Sequence, residues 1–413
     1  MIKKNVFSFF TILILFLLIP SRLLSQESFW PIQSIDTMKY SRDRAKESNI
    51  KEKIPILVKK LTQLGINYIA VATPYDEEFY PILKTWVIES RKHQLKIWFR
   101  GNFSSWEGWF GYPKFVNPEE HHFKTYQFII SHPEIFQDGD IFTPAPEPEN
   151  GGYGDPRNSQ QQKEHFLNFL INSYNNCQEA FAKINKKIHC GYFSINGDIA
   201  KEVLNKKVVE KTGGVVVIDH YVKSPQRLRD DIEELYQKYQ APVVLGEFGA
   251  PIPDIHGEMN ENQQAQYLKD TLIEILKIKN VVKGVNYWTA YDGSTAIFNN
   301  DFNPKLSFFM IQKFYQPIMI EGVVKDIFDL PIKDAQIFTT NFLETHSDKN
   351  GYFKLLTIDQ LNQITIKKKY FIPLHYSFSS SKNRKRFVIN LDYQNKNWIY
   401  YFKKIVYRIL NKM

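Results

Sequence analysis

The chain has 413 residues, a length that suits one large domain and a smaller one. Apolar residues at 43% and charged residues at 23% are ordinary for a folded protein and exclude wholesale disorder, while two cysteines exclude a disulfide-stapled miniature fold or a cysteine-rich zinc module. The formal charge of +9 is gathered at the ends: residues 1–25 carry +3 and residues 380–413 carry +8, which leaves the body between them at −2 and excludes it as a basic platform for nucleic acid.

Lys3 and Lys4 precede an apolar run from Val6 to Ile19, broken only by Ser8 and Thr11, and Pro20 and Ser21 follow. Basic, apolar, then polar is the layout of an export signal, and the run is too short for a comfortable membrane span. Residues 1–25 are therefore expected to be a signal peptide, cleaved near Ser25 or kept as an N-terminal anchor, and the protein to be secreted, periplasmic or at the cell surface. Export would permit a Cys177–Cys190 disulfide; the alternative is two buried thiols.

From residue 26 to 316, short β-branched or aromatic runs alternate with longer stretches of helical period. The expected strands are Ile32–Thr37, Ile66–Thr73, Leu95–Arg100, Asp140–Ala145, Ile188–Ser194, Val215–Tyr221, Pro242–Glu247 and Gly284–Thr289. Between them lie amphipathic segments such as Lys51–Leu64, Lys163–Ala182 and Gln263–Ile278. Eight such units predict an α/β fold, a (β/α)8 barrel. An open doubly wound sheet is the runner-up, but no glycine-rich phosphate turn follows the first strand.

In such a barrel the strand C-terminal ends open on one face, so chemistry is expected where each apolar run stops. Strand four gives way to TPAPEPENGG with Glu147, Glu149 and Asn150. Strand seven ends in VVLGEFGAP at Glu247, whose flanking Gly246 and Gly249 would let a substrate come close to the backbone. Strand six ends in Asp219, His220 and Tyr221, and strand eight ends at Trp288. Strand three leads to Arg100, Asn102, Trp106, Glu107 and Trp109. Two carboxyls facing each other across one mouth can divide acid and nucleophile roles at a glycosidic bond when their environments differ. Asp36, Lys39, Arg42 and Asp43 at the end of strand one read as a charge network. His93, His121 and His122 are isolated, so neither a metal nor a cofactor is expected.

These strand ends resemble those of the retaining (β/α)8 glycoside hydrolases, the large clan that includes the cellulase-type family 5 enzymes. Gly246-Glu247-Phe248-Gly249 matches the strand-seven motif that carries the nucleophile. Pro146-Glu147-Pro148 falls on the strand-four triplet that carries the acid/base, with proline where the clan has an asparagine. His220 and Tyr221 fall on the strand-six pair, and Trp288 on the strand-eight platform. The resemblance implies an enzyme that cleaves O-glycosidic bonds of a poly- or oligosaccharide by double displacement, without a cofactor. Glu247 would be the nucleophile and Glu147 the acid/base, with Glu149 as the alternative acid. His220, Tyr221, Trp288, Arg100, Asn102, Trp106 and Asn150 would bind the sugar. A non-catalytic carbohydrate-binding or surface protein on the same barrel is the competing reading, motivated by Pro146 and by the basic C-terminal tail.

Residues 317–379 contain short alternating strands at Gly322–Lys325, Ala335–Thr339, Tyr352–Leu356 and Gln363–Lys367, separated by turn signals, and predict a small antiparallel β-sandwich. Gly322, Pro331, Ala335, Asp348, Gly351 and Phe353 resemble the pattern of the carboxypeptidase regulatory-like (prealbumin-like) domain, which implies a spacer or attachment module without a catalytic role. Residues 380–413 form a basic tail. Within it, Trp398–Leu410 has the pattern of a basic amphipathic helix, suited to an anionic or membrane surface or to docking on the sandwich.

Overall fold

The computed structural model describes residues 27–114, 117–152, 154–339, 343–358, 363–377, 387–395 and 398–410. The expected signal segment and the basic residues Lys382, Arg384, Lys385, Arg386, Lys396 and Lys412 lie outside them.

Eight short strands alternate with helices: β1 (Ile32–Ile35), β2 (Tyr68–Val71), β3 (Lys96–Phe99), β4 (Ile141–Phe142), β5 (Ile195–Asn196), β6 (Val216–Asp219), β7 (Val243–Phe248) and β8 (Val282–Tyr287). All pair in parallel, in the orders β2-β3-β4 and β5-β6-β7-β8-β1. Two bridges, Asp36 with Ala70 and Ile141 with His189, join these runs. The Thr37 N–H donates to the Ala70 carbonyl at 3.1 Å and the Phe142 N–H to the His189 carbonyl at 2.9 Å. The sheet thus closes on itself as a (β/α)8 barrel.

The helices cover it with apolar stripes of helical period. Helix Ile50–Thr62 buries Ile50, Ile54, Leu57, Val58 and Leu61. Some of their starts are set by side-chain caps, as where Asn260 and Gln263 form a reciprocal capping box at helix Glu261–Lys277. A disulfide joins Cys177 of helix Gln160–Lys183 to Cys190.

Two strands are shorter than their sequence runs suggest. After Phe142 come Pro144, Pro146 and Pro148, which have no N–H to give a ladder, so β4 stops early. The expected strand Ile188–Ser194 keeps only the bridge at His189, and regular pairing resumes at Ile195. Gly191 and Ser194 between them hold positive φ, +83° and +53°, which breaks the strand.

Residues two apart on a strand share a face. The lower barrel interior is filled by Ile32, Tyr68, Ala70, Trp98, Ile141, Tyr192, Val215, Val217 and Val244. Counting upward by twos on the same faces leads from Ile32 through Ser34 to Asp36, from Trp98 to Arg100, from Val217 to Asp219, and from Gly284 to Asn286. All four end residues are buried.

Beyond helix Leu306–Tyr315 seven strands form two small sheets: β9 (Ile318–Asp326), β10 (Gln336–Phe338), β11 (Glu344–His346), β12 (Tyr352–Thr357), β13 (Gln363–Lys367), β14 (Leu374–Ser377) and β15 (Phe387–Leu391), ordered β12-β9-β15 and β11-β10-β13-β14. Pairing is antiparallel except for β15 with β9. Buried Val324, Ile337, Phe353, Ile364, Ile366 and Ile389 belong to their core. Here the expectation of a tail from residue 380 needs correction. β15 belongs to the sandwich, with Ile389 and Leu391 both 1% exposed, and the basic run before it masks an ordinary alternating strand. Helix Trp398–Leu410 follows and docks Tyr400 against Phe328 and Tyr393, with ring centroids 5.4 and 5.7 Å apart.

Candidate active site

The strand periodicity places a charged layer on top of the apolar barrel interior. Arg100 is its centre and is fully buried. One guanidinium nitrogen donates to Asp36 at 2.7 Å and to the Gly246 carbonyl at 3.0 Å. The other donates to Asp219 at 3.0 Å and Ser194 at 3.1 Å and lies 3.0 Å from Glu247. Asn286 donates to the Gly246 carbonyl at 2.7 Å. Burial by itself would lower the arginine's proton affinity, but Asp219, Glu247 and Asp36 together raise it above the ordinary value.

Glu247 reaches this layer through a bulge. Ile218 pairs with Leu245, yet Asp219 pairs with Glu247, so Gly246 is the extra residue. A Cβ at position 246 would lie 2.3 Å from Ser194 Oγ and 2.4 Å from Asp219 Oδ1, so only glycine fits. At position 249 a Cβ would lie 2.2 Å from the Trp288 carbonyl. The expectation that these glycines leave room for a substrate is therefore corrected: the protein's own atoms fill the space.

Glu147 stands opposite, just after the proline-interrupted end of β4, with φ at +43°, the left-handed region that ordinary side chains avoid. Its N–H donates to the Phe193 carbonyl at 3.1 Å, and its carbonyl accepts from Asn150 and Gly151 at 2.9 and 3.2 Å. These bonds hold the unusual conformation. Carboxylate oxygens of Glu147, Asp219 and Glu247 all lie within 4.8 Å of one another. That limit is closer to the roughly 5–5.5 Å between the carboxyl groups of a double-displacement pair than to the roughly 6.5–9.5 Å of an inverting pair. The three acids could ligate a cation by geometry, but the Arg100 guanidinium already supplies positive charge to two of them.

Burial pushes these groups up. Glu147 rises to about 7 and Glu247 to about 8, and Asp219 lies well above the usual carboxylate range. Groups this close titrate together, so the hydrogen bonds decide where a released charge rests. Glu247 accepts from Tyr221 at 2.8 Å and faces Arg100, whereas Glu147 accepts from the Asn150 amide at 3.0 Å. Glu247 thus has both a hydroxyl donor and a cation beside it, the partners that an ionised carboxylate needs, while Glu147 has one neutral amide.

The other residues singled out in the sequence divide. Tyr221 and Asn150 touch the two acids directly. Trp288 is partly exposed after β8, and Trp109 lies under the Arg42 guanidinium at 4.4 Å, which ties the loops after β1 and β3. Glu149 does not join the three-acid cluster. Its Oε1 accepts the Asn196 N–H at 2.5 Å, and burial lifts it to about 7. Arg100 is a buried organiser of carboxylates, with no exposed surface for a ligand.

Three expected sugar contacts turn elsewhere. His220 is one residue out of phase with Asp219, so its ring points outward. It lies 2.8 Å from Asp231 on helix Pro225–Tyr239 and fills the space beside Gly197. Asn102 is fully buried and accepts from the Phe103 N–H at 2.8 Å, with His121 at 3.0 Å. Trp106 is fully buried against His121 and Phe169, with its indole nitrogen closed off by the Gly151 backbone. The residues that sequence reasoning left without a role are Asp219, Asn286 and Ser194. The signal for the first was in the run VVVID, where Val215, Val217 and Asp219 share a face.

No family model matches the chain, and no curated protein matches it in sequence. Solved structures are similar to it in fold. A GH5_18 protein from Streptomyces cattleya, solved in complex with GlcNAc, is 12% identical with a TM-score of 0.51, over 70% of this chain and 80% of that one. The beta-glycosidase BGL167 is 14% identical with a TM-score of 0.49, over 70% and 96%. A family 5 xyloglucanase from Paenibacillus pabuli is 15% identical with a TM-score of 0.47, over 63% and 89%. At such identities the first likeness carries the fold alone: the barrel is one that glycoside hydrolases also use.

Proposed function

We propose that this chain is an exported retaining glycoside hydrolase acting on an oligo- or polysaccharide. The observation that carries the reading is the approach of the Glu147 and Glu247 carboxylates to within 4.8 Å across the barrel mouth. The Glu247 carboxylate attacks the anomeric carbon while the bond to the leaving oxygen breaks, and Glu147 gives that oxygen its proton. This leaves a glycosyl ester on Glu247. Glu147, now ionised, takes a proton from a water that attacks the same carbon, and Glu247 leaves as carboxylate. Arg100 and Tyr221 hold Glu247 in its attacking position. Trp288, partly exposed, offers a platform for a sugar ring, and Asn150 supplies an amide beside the acid where Pro146 has none. The sandwich, with its resemblance to carboxypeptidase regulatory-like domains, serves as a spacer or attachment module, and the N-terminal segment directs export.

The test begins with aryl glycosides and polysaccharides, following the anomeric configuration of the first product by NMR. Retention is expected, and inversion would reject the double displacement. Glu247→Gln should lower kcat by on the order of 10⁶-fold with the fold intact. Glu147→Gln should lower it by about 10²–10⁴-fold for poor leaving groups. It should also remove an alkaline limb of kcat/KM near the Glu147 value of about 7, because activity needs that proton.

A further inference from the structure

Helix Trp398–Leu410 has two used and unused sides. Tyr400 and Tyr407 pack toward Phe328, and Lys403 reaches Asp326 at 3.1 Å, so this side is fastened to the sandwich. The opposite side carries Trp398, Phe402, Ile405 and Ile409, which are 76%, 62%, 57% and 54% exposed. At helical pitch these four fall within about 60° of one another, a continuous apolar stripe about 17 Å long. Tyr401 extends it, and Lys404 and Arg408 run along one flank. Folding ordinarily hides such a row. Here the sandwich takes the other face, and nothing among the described residues covers this one.

We propose that this stripe is the contact by which the protein lies on an anionic lipid surface. The occupant follows from charge. From Tyr393 to Met413 the sequence has no acidic residue, and residues 380–413 carry +8. A second copy laid stripe to stripe would bring Lys404 and Arg408 against their like with no counter-charge. Anionic headgroups supply the opposite sign, while the apolar residues enter the acyl boundary and Trp398 and Tyr401 sit at the interface. No helix among the described residues is long and apolar enough to cross a membrane, so the contact is one of lying on the surface. The docked side fixes the helix parallel to the sandwich surface, so no folding step precedes binding. The inference is independent of the glycosidase reading.

The full chain is mixed with sedimenting vesicles of phosphatidylcholine alone or of an equimolar mixture with phosphatidylglycerol, at low and at high salt. The expected result is binding to the anionic vesicles that weakens with salt, and about tenfold weaker binding for Phe402→Asp with Ile405→Asp. The N-terminal segment is the same in both proteins, so this difference belongs to the helix. Circular dichroism checks the fold of the double variant. A second pair, Lys404→Glu with Arg408→Glu, leaves the stripe intact and should remove the preference for phosphatidylglycerol. Equal sedimentation of wild type and both variants, or no sedimentation of the wild type, overturns the proposal. So does a dimer of the wild type that Phe402→Asp with Ile405→Asp converts to monomer, since the stripe would then face a second copy.

Discussion

The barrel and the sandwich each bury a carboxylate against a cation, and the two are treated in opposite ways. In the sandwich, Asp326 receives four donors: the N–H groups of Phe328 and Leu330 at 2.9 and 3.0 Å, the Tyr393 hydroxyl at 2.8 Å and Lys403 at 3.1 Å. In the barrel, one arginine serves Asp36, Asp219 and Glu247, and Asp219 Oδ1, Glu149 Oε2 and Arg100 Nε are buried without a hydrogen-bond partner. A fully supplied acid fixes a turn and a helix in place. A set of undersupplied acids holds protons at neutral pH and releases them on demand, at a cost in stability.

Three substitutions can break this contrast. The largest effect is expected from Arg100→Met, which leaves several buried acids without their cation. Thermal unfolding should show a loss of about 3–5 kcal/mol, together with loss of activity. A mild effect would mean that burial alone keeps the acids neutral and that the arginine is incidental. Asp326→Ala should cost about 2 kcal/mol by stranding its donors while leaving kcat unchanged. A fall in activity parallel to that of Arg100→Met would abolish the distinction between the two regions. The smallest effect has the opposite sign: Glu247→Gln should stabilise the protein by about 1 kcal/mol at alkaline pH. Glu247 is raised from 4.5 to about 8, chiefly by burial, so its contribution to stability is fully present below pH 4.5 and is lost as the pH rises through about 8. The gap in Tm between variant and wild type should therefore widen across that window, and a constant gap would sink the argument.

The barrel was legible in the sequence because its strands alternate with helices of clear apolar period, and Asp36, Arg100 and Asp219 could be placed inside by counting in twos. His220 was misplaced because a motif at a strand end reveals position along the chain but not parity. Trp106 and Asn102 follow β3 in a loop, where no period applies, and packing against helix Pro118–Ser131 decides their burial. The choice between Glu147 and Glu149 depends on a left-handed backbone at Glu147 that three alternating prolines do not announce. β15 was hidden by the basic residues before it, since charge outweighed alternation in the reading of that stretch.

The bulge at Gly246 has a consequence for evolution and for redesign. The direction of Glu247 is set by a side chain that is missing: the hydrogen atom at 246 makes room for Ser194 and Asp219, and the carbonyl is shared by Arg100 and Asn286. No library of side chains at this position can retune the site, because even a methyl group collides with its neighbours. New specificities on this scaffold would have to come from the rim loops, with the floor beneath them left as it is.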